Sequence, residues 1–247
     1  TWSVFCRSVN EMLPVREEIN ETGKGFVCPY QFYLDLSEIA QSADLLIPCS
    51  SGGANSVAMQ VIKQKSGQTI VTDKGLASMG YGLAGAIGGA IGHPNRRTFL
   101  IEGDGGFAQN LQELATVAVN NLNLKMFLFC NNGYGSIRMT QKNYFDGAYL
   151  GCDTETGLGF PDWHKLFEAY GLPSFDIGEN WATDPATLAA LNQHGPVGFI
   201  VPIDPLQTYW PKITSQVTET GTMKSNPLHQ MSPDLNADTA KFVYKYL

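Results

Sequence analysis

Residues 97–107 read RTFLIEGDGGF, and residues 124–133 read LKMFLFCNNG. Each is an apolar run of strand length that stops at turn-forming residues: glycines around one aspartate, then an asparagine pair before a glycine. Continuous apolar runs mark strands that are covered on both faces. The stretch between them, about 107–121, reads as a helix. Strand, helix and strand in succession predict a βαβ unit with parallel strands. The chain therefore reads as an α/β protein, with a doubly wound, mostly parallel sheet in a three-layer αβα arrangement.

The same alternation extends outward. Upstream lie a helix (QFYLDLSEIAQSA, 31–43), a strand (DLLIP, 44–48) and a loop (SSGGANS, 50–56). A helix (VAMQVIKQK, 57–65), a strand (TIVT, 69–72), a loop (DKGLAS) and a glycine-rich helix from Met79 to about Ile91 follow. Downstream, a polar, aromatic segment (134–160) precedes a helix (DWHKLFEAYG), a strand (SFDI), a helix (TLAALNQ) and a strand (VGFIVPI, 197–203). The expected organisation is a linker arm over 1–30, an α/β domain over 31–204, and a tail over 205–247 packed on that domain.

At 247 residues, with 43% hydrophobic and 16% charged residues, the chain can bury a sizeable core. A net charge of −7 argues against a nucleic-acid binder, which needs clustered Lys and Arg. No run reaches the roughly eighteen apolar residues of a membrane span, and no signal peptide opens the chain. Cys6, Cys28, Cys49, Cys130 and Cys152 are odd in number and lack CxxC spacing, so reduced thiols in a cytoplasmic protein are expected. The histidines are dispersed, without HExxH. The first residue is Thr1 rather than Met, which fits a piece of something longer.

The GDGG turn, Gly103 to Gly106, should open a helix with its backbone N–H groups free, a place for phosphate. Asp104 would repel that phosphate unless a cation bridged the two, and oxygen ligands beside phosphate point to magnesium. A helix plus a strand accounts for the gap of 28 residues between Asp104 and Asn132. If those strands are neighbours, their tips emerge together on one edge of the sheet. An earlier pair, Asn120-Asn121, falls where a helix should end and reads as its cap.

GDGGFAQNLQELATV followed by NNGYGSI resembles the diphosphate-binding signature of thiamine-diphosphate (ThDP) enzymes. The resemblance covers residues 30–205 and implies the ThDP-binding fold, with Mg²⁺ held by Asp104, Asn132 and the backbone carbonyl of Tyr134. It also implies that Gly103, Gly105, Gly106 and Gly135 surround the diphosphate. In SSGGANSVAMQ, Gly52, Gly53, Ala54 and Asn55 match a glycine loop that reaches the diphosphate, a role that can coexist with ordinary helix capping. KGLASMGYGLAGAIGGA resembles the segment beside the aminopyrimidine ring. There Met79 would prop the cofactor into its bent, reactive shape, its catalytic contribution, with backbone groups of Ala77 and Met79 facing the pyrimidine.

Gly80, Gly82 and Gly85 also match a dinucleotide fingerprint, and Glu102 supplies an acid. That fingerprint must follow its strand directly, whereas seven residues separate Thr72 from Gly80. Gly88, Gly89 and Gly92 continue the run, which suggests a small-residue face for close helix packing. A non-catalytic domain, binding ThDP or a nucleotide or serving interaction alone, is the other alternative. Enzymes of this family activate the pyrimidine with a glutamate on a separate domain, and no segment here serves as that domain. The chain thus looks like the carboxyl-terminal portion of a longer polypeptide or one half of a split enzyme. Its expected partners are an amino-terminal pyrimidine-binding domain or subunit, a homodimer or homotetramer when complete, and a 2-oxo acid substrate. MGYGLAGAIGGAIG and NNGYGSIRMTQKNYF are most similar to the acetolactate-synthase-like decarboxylases and carboligases. Thr140 stands where acetolactate synthases carry a tryptophan, so the implied product differs; Arg138, Gln141 and Tyr144 are candidates for lining another substrate site.

Overall fold

In the computed structural model, residues 1–49 and 51–246 are described; Ser50, which opens the SSGGANS loop, and Leu247, which ends the tail, lie outside them. Helix α1 (Trp2–Met12) begins the chain, and α2 (Pro29–Ile39) starts with proline at its first position, where no amide hydrogen is needed. Then follow β1 (Leu45–Pro48), α3 (Gly52–Val61), β2 (Thr69–Ile70), α4 (Tyr81–Gly92) and β3 (Thr98–Gly103). Next are α5 (Asp104–Phe107), α6 (Leu114–Val119), β4 (Leu124–Cys130), α7 (Gly135–Tyr144) and α8 (Trp163–Ala169). The series ends with β5 (Ser174–Asp176), α9 (Pro185–Asn192) and β6 (Val197–Pro202).

Six strands form one parallel sheet in the order β2-β1-β3-β4-β6-β5. β3 lies beside β4 residue for residue, from Thr98 opposite Leu124 to Gly103 opposite Phe129. The chain winds outward in both directions from β1 and β3, so the crevice at their carboxyl ends is the switch point where ligands bind in such sheets. Alternating side chains divide the core by chemistry. One face is mostly aliphatic, with Leu100, Met126 and Leu128 against Leu83, Ala86, Phe107 and Leu114. The other is aromatic: Phe127 stacks on Phe99 at 6.1 Å and on Phe199 at 4.9 Å, and Phe32 stacks on Trp181 at 4.9 Å.

Four local expectations change. The helix expected from residue 57 begins at Gly52, so the loop glycines form its first turn. The single helix expected over 107–121 is divided into α5, a 3₁₀ turn (Leu111–Glu113) and α6. The division has a cause: Asn110 donates its side-chain amide to the Gly80 carbonyl at 2.9 Å, outside any helical pattern. The polar segment after residue 134 contains α7. Of the glycines in α4, Gly89 abuts Leu45 as close packing requires, but Gly88 and Gly92 have open space beside them.

The chain divides into two compact units, residues 22–207, which hold the sheet, and residues 1–21 with 208–247. In the second, β7 (Lys212–Ile213) pairs with β10 (Met231–Ser232), and β8 (Ser215–Val217) with β9 (Met223–Ser225), both antiparallel. Helix α10 (Ala237–Val243) brings Phe242 within 5.5 Å of Phe5 on α1. No helix among the described residues is long and apolar enough to cross a membrane.

Candidate functional site

β3 delivers Asp104 to the switch-point crevice as the first residue of α5. Its carboxylate is buried and accepts the backbone N–H of Gly105 at 2.8 Å on one oxygen. The other oxygen accepts those of Asn131 at 3.0 Å and Asn132 at 2.8 Å. The two strand tips are therefore joined directly. Burial pushes the Asp104 pKa up to about 6, with these N–H bonds pulling the other way, so the group is ionised at neutral pH.

Asn132 is exposed to the crevice and sits at φ 56°, in the left-handed region that asparagine tolerates better than most residues. The carbonyl of Tyr134 accepts the Arg138 N–H at 2.9 Å and keeps a second lone pair. The Tyr134 ring covers Gly105, where a β-carbon would collide with it. Gly135 is equally confined, with the Asn131 amide nitrogen 2.8 Å from where its β-carbon would lie. Behind the loop, Arg138 is a correction to the expected substrate lining. It is buried, and its guanidinium donates to the carbonyls of Pro205 at 2.9 Å and Asn132 at 3.3 Å, with Asp153 at 3.5 Å. Gln141 is occupied on Leu150, while Thr140 and Tyr144 are exposed on α7.

Across the switch point, Gly52, Gly53, Ala54 and Asn55 make up the first turn of α3, so the N–H groups of the first three, which have no acceptor within the helix, open on the same crevice. Gly52 has φ 68° and no atom of the described residues within 4 Å of a β-carbon position, which leaves room for a ligand. The Asn55 side chain donates to Thr72 at 3.0 Å. The buried Oδ1 atoms of Asn55 and Asn131 have no hydrogen-bond partner among the described residues. In the segment before α4, Ala77 lies at φ 55° and Met79 is 39% exposed. Gly80 follows at φ 88°.

Glu102 sits behind both glycine turns. It is buried and accepts the Leu83 N–H at 3.1 Å. Burial pushes its pKa up to about 8, against hydrogen bonds from the backbone of Leu83, Gly80 and Gly82, so it holds a proton at neutral pH. Sequence reasoning saw Glu102 only as part of a rejected fingerprint. It passed over Asn110 and misread Arg138, because buried polar side chains leave no spacing signal.

No group of three or more His, Cys, Asp or Glu suited to a metal occurs among the described residues. Asp104, Asn132 and the Tyr134 carbonyl instead present one carboxylate, one amide and one carbonyl, an all-oxygen set suited to a hard cation. The open space at Gly52 fits a ligand in the same crevice.

Residues 50–201 match the family model described as thiamine pyrophosphate enzyme, C-terminal TPP binding domain. The chain is 34% identical over 172 residues to the acetolactate synthase isozyme 2 large subunit of Escherichia coli (strain K12), covering 69% of this chain and 31% of that protein. It is 30% identical over 186 residues to acetolactate synthase 1, chloroplastic, of Nicotiana tabacum, covering 74% and 28% respectively. It thus spans about a third of the length of these relatives. Benzoylformate decarboxylase from Polynucleobacter necessarius has a similar fold, with a TM-score of 0.66, 21% identity and coverage of 80% of this chain and 36% of that one. The ThDP-dependent 4-hydroxybenzoylformate decarboxylase of Rhodococcus jostii RHA1 matches at a TM-score of 0.64 and 21% identity, over 78% and 35%.

Proposed function

The chain belongs to the thiamine pyrophosphate enzymes, through their C-terminal cofactor-binding domain, and from that premise we propose that it is the diphosphate-binding portion of a Mg²⁺- and ThDP-dependent enzyme acting on a 2-oxo acid. One observation carries the reading: the Asp104 carboxylate is bonded to the backbone of the Asn131-Asn132 tip at 3.0 and 2.8 Å. Asp104, Asn132 and the Tyr134 carbonyl hold Mg²⁺. The α3 turn of Gly52, Gly53, Ala54 and Asn55 receives the diphosphate on its free N–H groups, and the backbone of Gly103, Gly105, Gly106 and Gly135 lines it. Met79 props the cofactor's bend, while the backbone of Ala77 and Met79 faces its pyrimidine. When bound, the cofactor's thiazolium ring accepts the electron pair released as carbon dioxide leaves the substrate. The protein's part is to bind, bend and shield.

Decarboxylation, with ligation to a second carbonyl compound as the acetolactate-synthase-like variant, is the reaction class. Thr140, in place of the tryptophan of acetolactate synthases, supports a product other than acetolactate. The glutamate that activates the pyrimidine comes from an amino-terminal domain or subunit, in a homodimer or homotetramer in the cytoplasm.

Calorimetric titration of the chain tests this. ThDP should bind only with Mg²⁺, and 2-oxo acid turnover should appear only after the amino-terminal portion is added. Metal-independent binding of NAD would favour a dinucleotide domain instead, and turnover by the chain alone would refute the missing-glutamate argument.

A further inference from the structure

Glu102 is a carboxyl group where the surrounding core is apolar. It follows Leu100 on the aliphatic face of β3, beside Leu83 and Phe107, and is 1% exposed. Burying a carboxyl among aliphatic side chains is unfavourable, and simple packing would be served better by leucine or methionine. Its contacts explain its presence. Oε2 accepts the N–H of Leu83 at 3.1 Å in the first turn of α4, a helix whose N-cap, Gly80, offers no side chain for capping. A β-carbon on Gly82 would lie 2.5 Å from Oε2, and one on Gly106 would lie 2.7 Å from Oε1. One carboxyl group therefore touches both glycine turns at once, and each turn lacks a side chain where it does so. Asn110 reinforces the link by donating to the Gly80 carbonyl at 2.9 Å.

We propose that Glu102 is a positioning residue that fixes the spacing between the Ala77–Leu83 turn and the Gly103–Gly106 turn, and so matches the site to a ligand that spans both. This rests on the ThDP reading, in which the first turn meets the pyrimidine and the second the diphosphate. Inorganic pyrophosphate with Mg²⁺ reaches only the second turn. A spacer between the turns therefore matters to ThDP and not to pyrophosphate, whereas a general loss of stability would weaken both.

The test is calorimetric titration of the chain with ThDP and, separately, with pyrophosphate, each with saturating Mg²⁺. Glu102→Ala should weaken ThDP binding by about 10- to 100-fold, the usual range for a group supporting ligand-bearing residues, with pyrophosphate affinity within about twofold of wild type. Glu102→Gln, which keeps an acceptor for Leu83, should restore most of the ThDP affinity. Gly82→Ala, which places a methyl group against the intact carboxyl, should reproduce the selective loss and serves if Glu102→Ala does not fold. Equal weakening of both ligands, or no change in either, in the folded variants overturns the proposal. Failure of the wild-type chain to bind ThDP with Mg²⁺ overturns instead the reading beneath it.

Discussion

The two ends of the central sheet both bury polar side chains and are differently finished. At the amino edge, charges are met inside the protein. Arg97 pairs with Asp44 at 2.7 Å and donates to Asn192 at 3.0 Å; Lys125 donates to the Gln193 and Gly195 carbonyls at 2.6 Å each. At the carboxyl edge, Asp104 and Glu102 face backbone N–H groups, and neither has a Lys or Arg partner among the described residues. Buried oxygens without partners do not separate the edges, since Thr98 and Asn123 supply them at one and Asn55 and Asn131 at the other. What separates them is the negative charge of Asp104, left uncompensated beside left-handed backbone at Asn132, with the protonated Glu102 behind it. Strained backbone and perturbed carboxyls together mark where a ligand belongs.

That contrast can be broken by experiment. Asp104→Asn should abolish Mg²⁺-dependent ThDP binding, a loss of at least about 100-fold. The thermal midpoint of the ligand-free chain should move little, because relief of a buried charge offsets the backbone N–H that the new amide nitrogen leaves without an acceptor. Asp44→Asn should do the reverse. Breaking the pair with Arg97 should lower unfolding free energy by about 2 kcal/mol, less than for a wholly buried pair because the arginine keeps Asn192, with ThDP affinity unchanged. Urea midpoints and calorimetry on both variants separate the two effects, and a loss of cofactor affinity in Asp44→Asn would erase the distinction.

Arg138→Lys replaces a fork by a single point and should weaken Mg²⁺–ThDP binding about 10-fold, read by calorimetry. The amino edge should show itself in pH dependence. Burial lowers the Lys125 pKa from 10.5 to about 8. Below that value both states carry the proton and the cost of burying it is constant; between about 8 and 10.5 only the unfolded chain holds it, so this group's contribution to stability rises with pH. Denaturant midpoints should show a rise of about 1 kcal/mol over that window, absent in Lys125→Met, the two carbonyls limiting its size. The smallest effect is Asn121→Gly. Asn121 has φ 44° just beyond Asn120, the C-cap of α6, so stability should change by under about 1 kcal/mol and ThDP affinity not at all.

The legible part of the molecule was the part that follows period and spacing. LKMFLFC is β4 to the residue, because a doubly covered strand is written as an unbroken apolar run. The meeting of Asp104 with the asparagine tip could be read because two neighbouring parallel strands must end on the same edge. The break between α5 and α6 could not, since it depends on Asn110 reaching Gly80, thirty positions away in sequence. Arg138 looked like a surface residue of a polar stretch, and only the fold shows that Pro205 and Asp153 come round to enclose it. Glu102 was hidden for the same reason.

Rings on one side of the sheet and branched aliphatics on the other have a consequence for error. Sliding β3 by one position against β4 would carry Phe99 to the aliphatic side and Leu100 among the rings. The same slip would draw the acid and the asparagine pair apart by about 3.3 Å. A misaligned chain thus fails twice, in its interior and in its capacity for cofactor, so molecules that sort their core correctly have already aimed their metal-binding tips.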